Sequence, residues 1–292
     1  MKFTKATRQK ARLRLALTGP SGSGKTWGAL LLGVGLGGKI AVIDTERDSA
    51  SLYSHLADFD ALNLEAPFTP ERYIEAIKVA EAAGYDTLII DSITHEWSGV
   101  GGCLEEVDLI ARSKYKGNSW SAWSDVTPRH RALLDAILHS PMHIIVTLRS
   151  KTETAQTEEG GRKKVVKLGM KAEQRDGFEY EMTVVLDLIH DGNFATATKD
   201  RTGLFSGLTP TPISVDTGAR LKEWLETGAE APKALSVSDW CAKMDEAKSS
   251  KELAAIATEA WEATGDQQII EHHEAVKSAR MAARNQQLAE QA

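Results

Sequence analysis

The sequence predicts an α/β fold: a mainly parallel sheet with helices on both faces, an antiparallel hairpin finishing the sheet, and a small C-terminal helical appendage. Two observations carry this. Short apolar runs alternate with helix-spaced stretches as far as Arg149, the pattern of strands buried on both faces by their crossover helices. From Val237 onward the composition is almost wholly helical.

The elements follow in order. Leu13 to Leu17 reads as a strand, Gly19 to Thr26 as a glycine-rich loop, and Thr26 to Leu32 as the helix behind it. Lys39 to Asp44 is a second strand, and Pro70 to Ala83 a helix with Tyr73, Ile74, Ile77 and Ala80 at helical spacing. Thr87 to Asp91 is a buried-type strand, Pro128 to Leu138 a helix, and His143 to Leu148 another strand. Lys151 to Asp176 is polar and is expected to be a loop, kept mobile by Gly160 and Gly161. Two further strands, Met182 to Ile189 and Phe194 to Lys199, flank the turn signal Asp191-Gly192-Asn193. The helix Ala219 to Leu225 completes a core over residues 11–228, preceded by a basic arm (1–10) and followed by a linker (229–235). The helical domain (236–292) is interrupted at Thr264-Gly265-Asp266.

Bulk composition narrows the classes. A net charge of −6 excludes a protein that coats nucleic acid over its whole surface, so any such contact is local. Two distant cysteines, Cys103 and Cys241, make neither a metal motif nor a disulfide framework, which fits a reducing, cytoplasmic setting. The most apolar run, Ala29 to Gly37, is too short and too glycine-rich to cross a bilayer, so no membrane role is expected.

Gly19-Pro20-Ser21-Gly22-Ser23-Gly24-Lys25-Thr26 fits the P-loop pattern completely. Glycines let backbone N–H groups turn inward around phosphate oxygens, and the following helix aims its dipole at the same anion. Lys25 is expected on the β- and γ-phosphates of a nucleoside triphosphate, ATP, and Thr26 on its Mg²⁺. Asp91, at the C-terminal tip of a buried strand, is the expected second Mg²⁺ ligand of the Walker B type. Glu46, after the second strand, is the candidate for polarising the attacking water, with Glu96 as its competitor.

The order of these motifs resembles the RecA-type recombinase core. Ala41-Val42-Ile43-Asp44-Thr45-Glu46 is similar to the segment carrying that family's catalytic glutamate, and Thr87 to Ser92 to its Walker B strand. His143 to Lys151, the polar stretch after it, and Gly177-Phe178-Glu179-Tyr180 leading into Val184 to Asp187 are similar to its strand, DNA-binding loop and next strand. Thr198-Lys199-Asp200-Arg201-Thr202-Gly203 resembles the K-x-[KR] signature of RecA and of DnaB-type helicases. The resemblance implies that Lys199 and Arg201 reach a neighbouring subunit's ATP, and that Arg149 stands at a γ-phosphate sensor position, where RecA has a different polar residue. Residues 10–228 resemble more closely the phage-encoded RecA-like ATPases of the Sak single-strand annealing group, through Trp27 after the P-loop, Asp91 to Trp97, Trp123, Thr127 to His130, and His143 to Lys151. The N-terminal helix and strand with which bacterial RecA polymerises are missing, so a ring and a filament are equally compatible.

This reading implies single-stranded DNA as partner. Lys151, Arg162, Lys163, Lys164, Lys167, Lys171 and Arg175 stand against four acids between residues 151 and 175, a local excess suited to a phosphate backbone. Trp120 and Trp123, in a stretch expected to be irregular that begins at Trp97, could stack bases, although core packing is the commoner role of a tryptophan. The C-terminal domain could recruit a partner such as a single-strand-binding protein. A hexameric helicase motor, and a nucleotide-switched regulator without DNA binding, are the alternatives.

Overall fold

A computed structural model describes residues 10–159, 162–229 and 235–290, with the backbone alone for 152–159, 162–170, 284 and 286–290. The expected basic arm and linker fall almost entirely outside the described residues, as do Gly160 and Gly161 and the side chains of Arg162, Lys163, Lys164 and Lys167. The chain divides into two compact units, Met1–Ala229 and Glu230–Ala292.

The first unit is built on strands β1 (Arg14–Gly19), β2 (Ile40–Asp44), β3 (Phe59–Asn63), β4 (Thr87–Asp91), β5 (His143–Glu159), β6 (Arg162–Ala172), β7 (Val184–Leu188), β8 (Phe194–Asp200) and β9 (Thr211–Pro212). Their order is β3-β2-β4-β5-β1-β7-β8-β9, with β6 paired to β5. The strands from β3 to β7 in that order are parallel, while β8 and β9 close the edge antiparallel. The helices are α1 (Lys25–Leu36), α2 (Pro70–Ala82), α3 (Thr94–Ser98), α4 (Cys103–Lys114), α5 (Ser119–His139), α6 (Phe178–Glu181) and α7 (Val215–Glu226).

Alternation along each strand feeds two cores. Leu88, Ile90, Ile144 and Val146 pack on one face with Tyr73 and Ile77 of α2 and Leu133 and Ile137 of α5. Leu15, Leu17, Ile89 and Ile145 pack on the other with Leu30, Leu32 and Leu36 of α1 and Leu221 and Leu225 of α7. Strands β1, β2 and β4 are buried along their whole length, as strands covered on both faces must be.

Three expectations are corrected. Lys151 to Asp176 is not a loop for most of its length: β5 runs on to Glu159 and pairs antiparallel with β6. In that register Glu158 is level with Lys163 and Glu159 with Arg162. The stretch with Trp97, Trp120 and Trp123 is helical, not irregular. Helix α5 starts nine residues before Pro128, at Ser119, because Asn118 caps it with its side-chain oxygen on the Ser121 amide (3.2 Å). Pro128 lies inside that helix. The edge strand β3, mostly exposed, has no counterpart in the sequence reading.

Polar burial ties down the N-terminal edge of the sheet. The Arg14 guanidinium donates to the carbonyls of Met142 (2.7 Å), Leu138 (3.0 Å) and Ser140 (2.5 Å), capping the end of α5. His143 Nδ1 accepts from the Leu13 amide at 3.0 Å, and Arg12 lies 3.2 Å from its Nε2.

The second unit is a three-helix assembly of α8 (Val237–Glu246), α9 (Ser250–Thr264) and α10 (Gln267–Glu290). Its core is Trp240, Met244, Leu253, Ala260 and Ile269. Ser236 and Asp239 form a reciprocal capping box at the start of α8, and Gly265 ends α9 in a left-handed conformation.

Two predictions concern stability. A methyl group at Gly35 would be driven into the Val215 carbonyl and to within 2.7 Å of the Ala219 amide nitrogen, where α1 crosses α7. Gly35→Ala is therefore expected to destabilise the protein by about 3 kcal/mol in denaturant titrations. Burial, with Arg12 and Arg14 beside it, lowers the His143 pKa to about 4. The folded value lies below the unfolded one, so this stability is present above about pH 6.5 and is lost as pH falls through about 4, at a cost near 3 kcal/mol. Melting curves from pH 7 to 4 should show that loss, and His143→Gln should flatten it.

Candidate nucleotide site

The C-terminal tips of the parallel strands converge, as the open α/β architecture dictates for ligand sites. Gly19 of β1 pairs in register with Arg149 of β5, and Asp44 of β2 with Asp91 of β4. The P-loop leaves β1 at this edge and enters α1 through Gly24, which is left-handed, as is Gly22. Only glycine takes such angles without strain. Lys25 Nζ lies inside the curve of the loop, donating to the carbonyls of Gly19 (3.1 Å) and Pro20 (2.9 Å). Ser23 is wholly buried and its hydroxyl has no hydrogen-bond partner among the described residues.

Asp91 is the centre of the arrangement. Its two oxygens accept from different elements: Oδ2 from Thr26 of α1 at 2.6 Å, and Oδ1 from Thr147 of β5 at 2.5 Å. The Asp91–Ser92 peptide that follows is cis. Burial raises the Asp91 carboxyl above its ordinary pKa; the two threonine hydroxyls oppose the shift, and Glu46 and Asp44 add to it. Lys25 is shifted the other way, lowered by burial, raised by Asp91 and Glu46, and lowered again by Arg149.

Glu46 sits on a turn shaped by Asp44, whose carboxylate accepts from the amides of Glu46 (2.6 Å) and Ala50 (2.7 Å). Arg47 and Asp48 in that turn have positive φ angles of 58° and 64°, uncommon for side-chain-bearing residues. Glu46 Oε1 meets the Arg149 guanidinium at 2.7 Å, so the structure brings these two sequence candidates together. They border a cavity of about 930 Å³ that His95, Phe68 and Asn63 also line. Thr45 locks this tip to β4, donating its amide to the Asp91 carbonyl (2.8 Å) and accepting from the Ser92 amide (2.8 Å), with His95 Nδ1 2.7 Å from its hydroxyl.

Glu96 is elsewhere. It has no exposed surface, and its carboxylate is bound by His130 (2.9 Å), Cys103 (3.0 Å) and Gln174 (3.2 Å), which closes it to a water nucleophile. Trp27 is 42% exposed on the first turn of α1, with Tyr53 and His55 edge-on at about 6 Å. Lys199 and Arg201 are not at this chain's own P-loop. Lys199 donates to the carbonyls of Glu179 (2.8 Å) and Tyr180 (2.5 Å), and Arg201 to that of Tyr180 (2.9 Å), at the end of α6. Lys199 is level with Val185, hence with Ala16. That is about 10 Å back along the strands from Gly19.

Four residues near the site escaped the sequence reading. Thr147 was visible only as a polar residue in an apolar run; its bond to Asp91 needs β5 to lie between β1 and β4. His95 follows from the same packing. His190 and Asn193, on the β7–β8 turn, come close to the P-loop: a Cβ on Gly22 would meet His190 at 3.3 Å, and one on Gly24 would meet Asn193 at 3.2 Å. Of the expected DNA-contacting residues, Lys151 follows Arg149 by two positions on β5. Lys151 pairs with Glu173 (3.4 Å) and Lys171 with Asp176 (2.7 Å), while Trp120 and Trp123 are on α5.

The residues present fit a triphosphate and a hard divalent cation. Thr26 and Asp91 offer adjacent oxygen donors of the type Mg²⁺ prefers, and the unpartnered Ser23 hydroxyl and left-handed glycines line an anion cradle.

Because the folded pKa of Asp91 is raised, its charged form costs stability at neutral pH; this group's contribution is complete below its unfolded value and is lost as pH rises through the folded one. Asp91→Asn is expected to raise the thermal midpoint of the ligand-free protein at pH 7, with the gain shrinking towards acid pH. Calorimetry at two pH values checks this, and a lower midpoint at pH 7 would contradict it.

No curated protein matches the chain. Residues 11–212 match the family model of the AAA domain, AAA_24. That span contains the P-loop, Asp91, Glu46, Arg149 and the whole sheet that aligns them, and the chain accordingly belongs to this family of AAA-type P-loop ATPases.

Proposed function

We propose that the chain is an ATP-dependent DNA recombination or single-strand annealing protein that binds Mg·ATP and single-stranded DNA as an oligomer. The observation that carries the reading is the continuity of β5. One strand runs from Thr147, bonded to Asp91, through Arg149, paired with Glu46, into the hairpin with β6. A change in charge at the nucleotide edge therefore has a direct covalent and hydrogen-bonded route to the basic stretch. The resemblance of the core to the phage annealing ATPases supports the same reading.

In this mechanism Lys25 and the P-loop amides hold the phosphates, while Thr26 and Asp91 hold the metal. Bound Mg²⁺ supplies charge neutralisation at the phosphate oxygens. Glu46 takes the proton of the attacking water, and Arg149 orients Glu46 or answers negative charge at the same edge. Lys199 and Arg201 serve a neighbouring copy's site, a role favoured by their distance from their own P-loop.

Glu46→Gln should lower ATP turnover by about 10²–10⁴-fold while leaving nucleotide affinity nearly unchanged. In the wild-type protein, turnover and assembly, followed by light scattering, should both rise on adding single-stranded DNA. A chain that stays monomeric with ATP and whose turnover ignores DNA overturns the proposal.

A further inference from the structure

A second cavity, of about 600 Å³, lies away from the nucleotide site, walled by Trp97 of α3, Trp120 and Trp123 of α5, and by Arg131 and Arg175. Its volume is in the range of ordinary small-molecule pockets. Trp97 and Trp123 are stacked, with centroids 5.4 Å apart and planes 22° from parallel. Arg175 lies over the Trp123 ring at 5.5 Å and reaches Thr127 Oγ1 at 3.3 Å. Trp120 is 87% exposed on the rim. One exposed tryptophan is unremarkable, but one that flanks a built aromatic stack is not explained by packing.

Trp97 packs edge-on against His130 at 5.7 Å, and His130 is held by the buried Glu96. Pro128, also lining the groove, has no N–H to donate to the Ser124 carbonyl one turn earlier. Arg175 stands three residues beyond the end of β6, so the groove opens at the foot of the basic hairpin.

We propose that this groove binds an unstacked nucleobase of a single-stranded nucleic acid, stacked on the tryptophans, with Arg131 and Arg175 facing the flanking phosphates. Aromatic faces give sequence-tolerant stacking, and among the described residues no acid lines the groove to repel a backbone. Duplex DNA hides its base faces and is excluded. The same aromatic lining could seat a proline-rich peptide, but two arginines and the adjoining basic hairpin favour a polyanion. Gln174, next to Arg175, donates to both the Ile93 carbonyl (3.3 Å) and Glu96 (3.2 Å), so the groove is wired to the segment just after Asp91.

The inference rests on the single-strand reading above, and the test separates the two. Affinities of the full-length protein are compared, at one salt concentration, for oligothymidine and for an abasic strand of equal length and charge. The wild type should prefer the base-bearing strand by about tenfold or more, since stacking is worth about 1–3 kcal/mol per base. Trp120→Ala, at an exposed position with little bearing on folding, should bring that preference close to unity. Replacing Lys163, Lys164 and Lys167 with Ala should weaken both strands equally and leave the ratio intact. Equal binding of the two strands by the wild type, or a ratio unmoved by Trp120→Ala, overturns the groove and leaves the single-strand reading standing. Binding of neither strand overturns both.

Discussion

A carboxylate with only 2% of its surface exposed, gripped by two threonine hydroxyls from different elements, is the constraint on which the molecule is organised. Asp91 cannot be stripped of water without hydrogen bonds in return, because a buried unpaired charge is among the costliest features a fold can carry. Thr26 and Thr147 supply them, and in doing so fix the first turn of α1 and the strand β5 against β4. The helices on both faces then serve one purpose near this edge: to keep three strand tips at the same height. Gly35 and Gly218 contribute by letting α1 and α7 touch backbone to backbone.

Much of this was legible in the sequence. The P-loop, the strands ending at Asp44 and Asp91, and the hairpin across Asp191-Gly192-Asn193 all carry local signals that tertiary context reinforces. The β5–β6 hairpin did not, because the stretch from Lys151 to Ala172 is mostly polar and carries no apolar alternation. Strand β3 is short and exposed, so it too lacked a signature. The start of α5 was misplaced because Pro128 reads as a first-turn proline, whereas Asn118 is the true cap. Of the candidate site, Glu46 and Arg149 are each visible as single polar residues beyond an apolar run, but the ion pair between them depends on the strand order. Buried partners such as Thr147 and the Glu96–His130 pair depend on contacts distant in sequence, which no local pattern records.

The charges at the nucleotide edge work against one another in an ordered way. Lys25 is drawn down by burial while Asp91 and Glu46 pull it up, and Arg149 pushes back. The chain thus holds a cluster of alternating charges, Lys25 with Asp91 and Arg149 with Glu46, on two adjoining strands, one helix and the turn after β2. Such a cluster is close to neutral in sum, so a polyanionic ligand entering it must redistribute these contacts. Natural sites commonly keep such destabilising features where function requires them.

The first residue of strand β5, His143, carries the sheet's acid-sensitive imidazole, and the seventh, Arg149, stands at the nucleotide edge. They are about 20 Å apart along the strand. Effects that far apart generally add without coupling. The protein therefore has two independent handles on one strand. A ligand taken up at one end adds to stability by mass action, and a proton taken up at the other subtracts from it, with neither altering the other's affinity except through global unfolding.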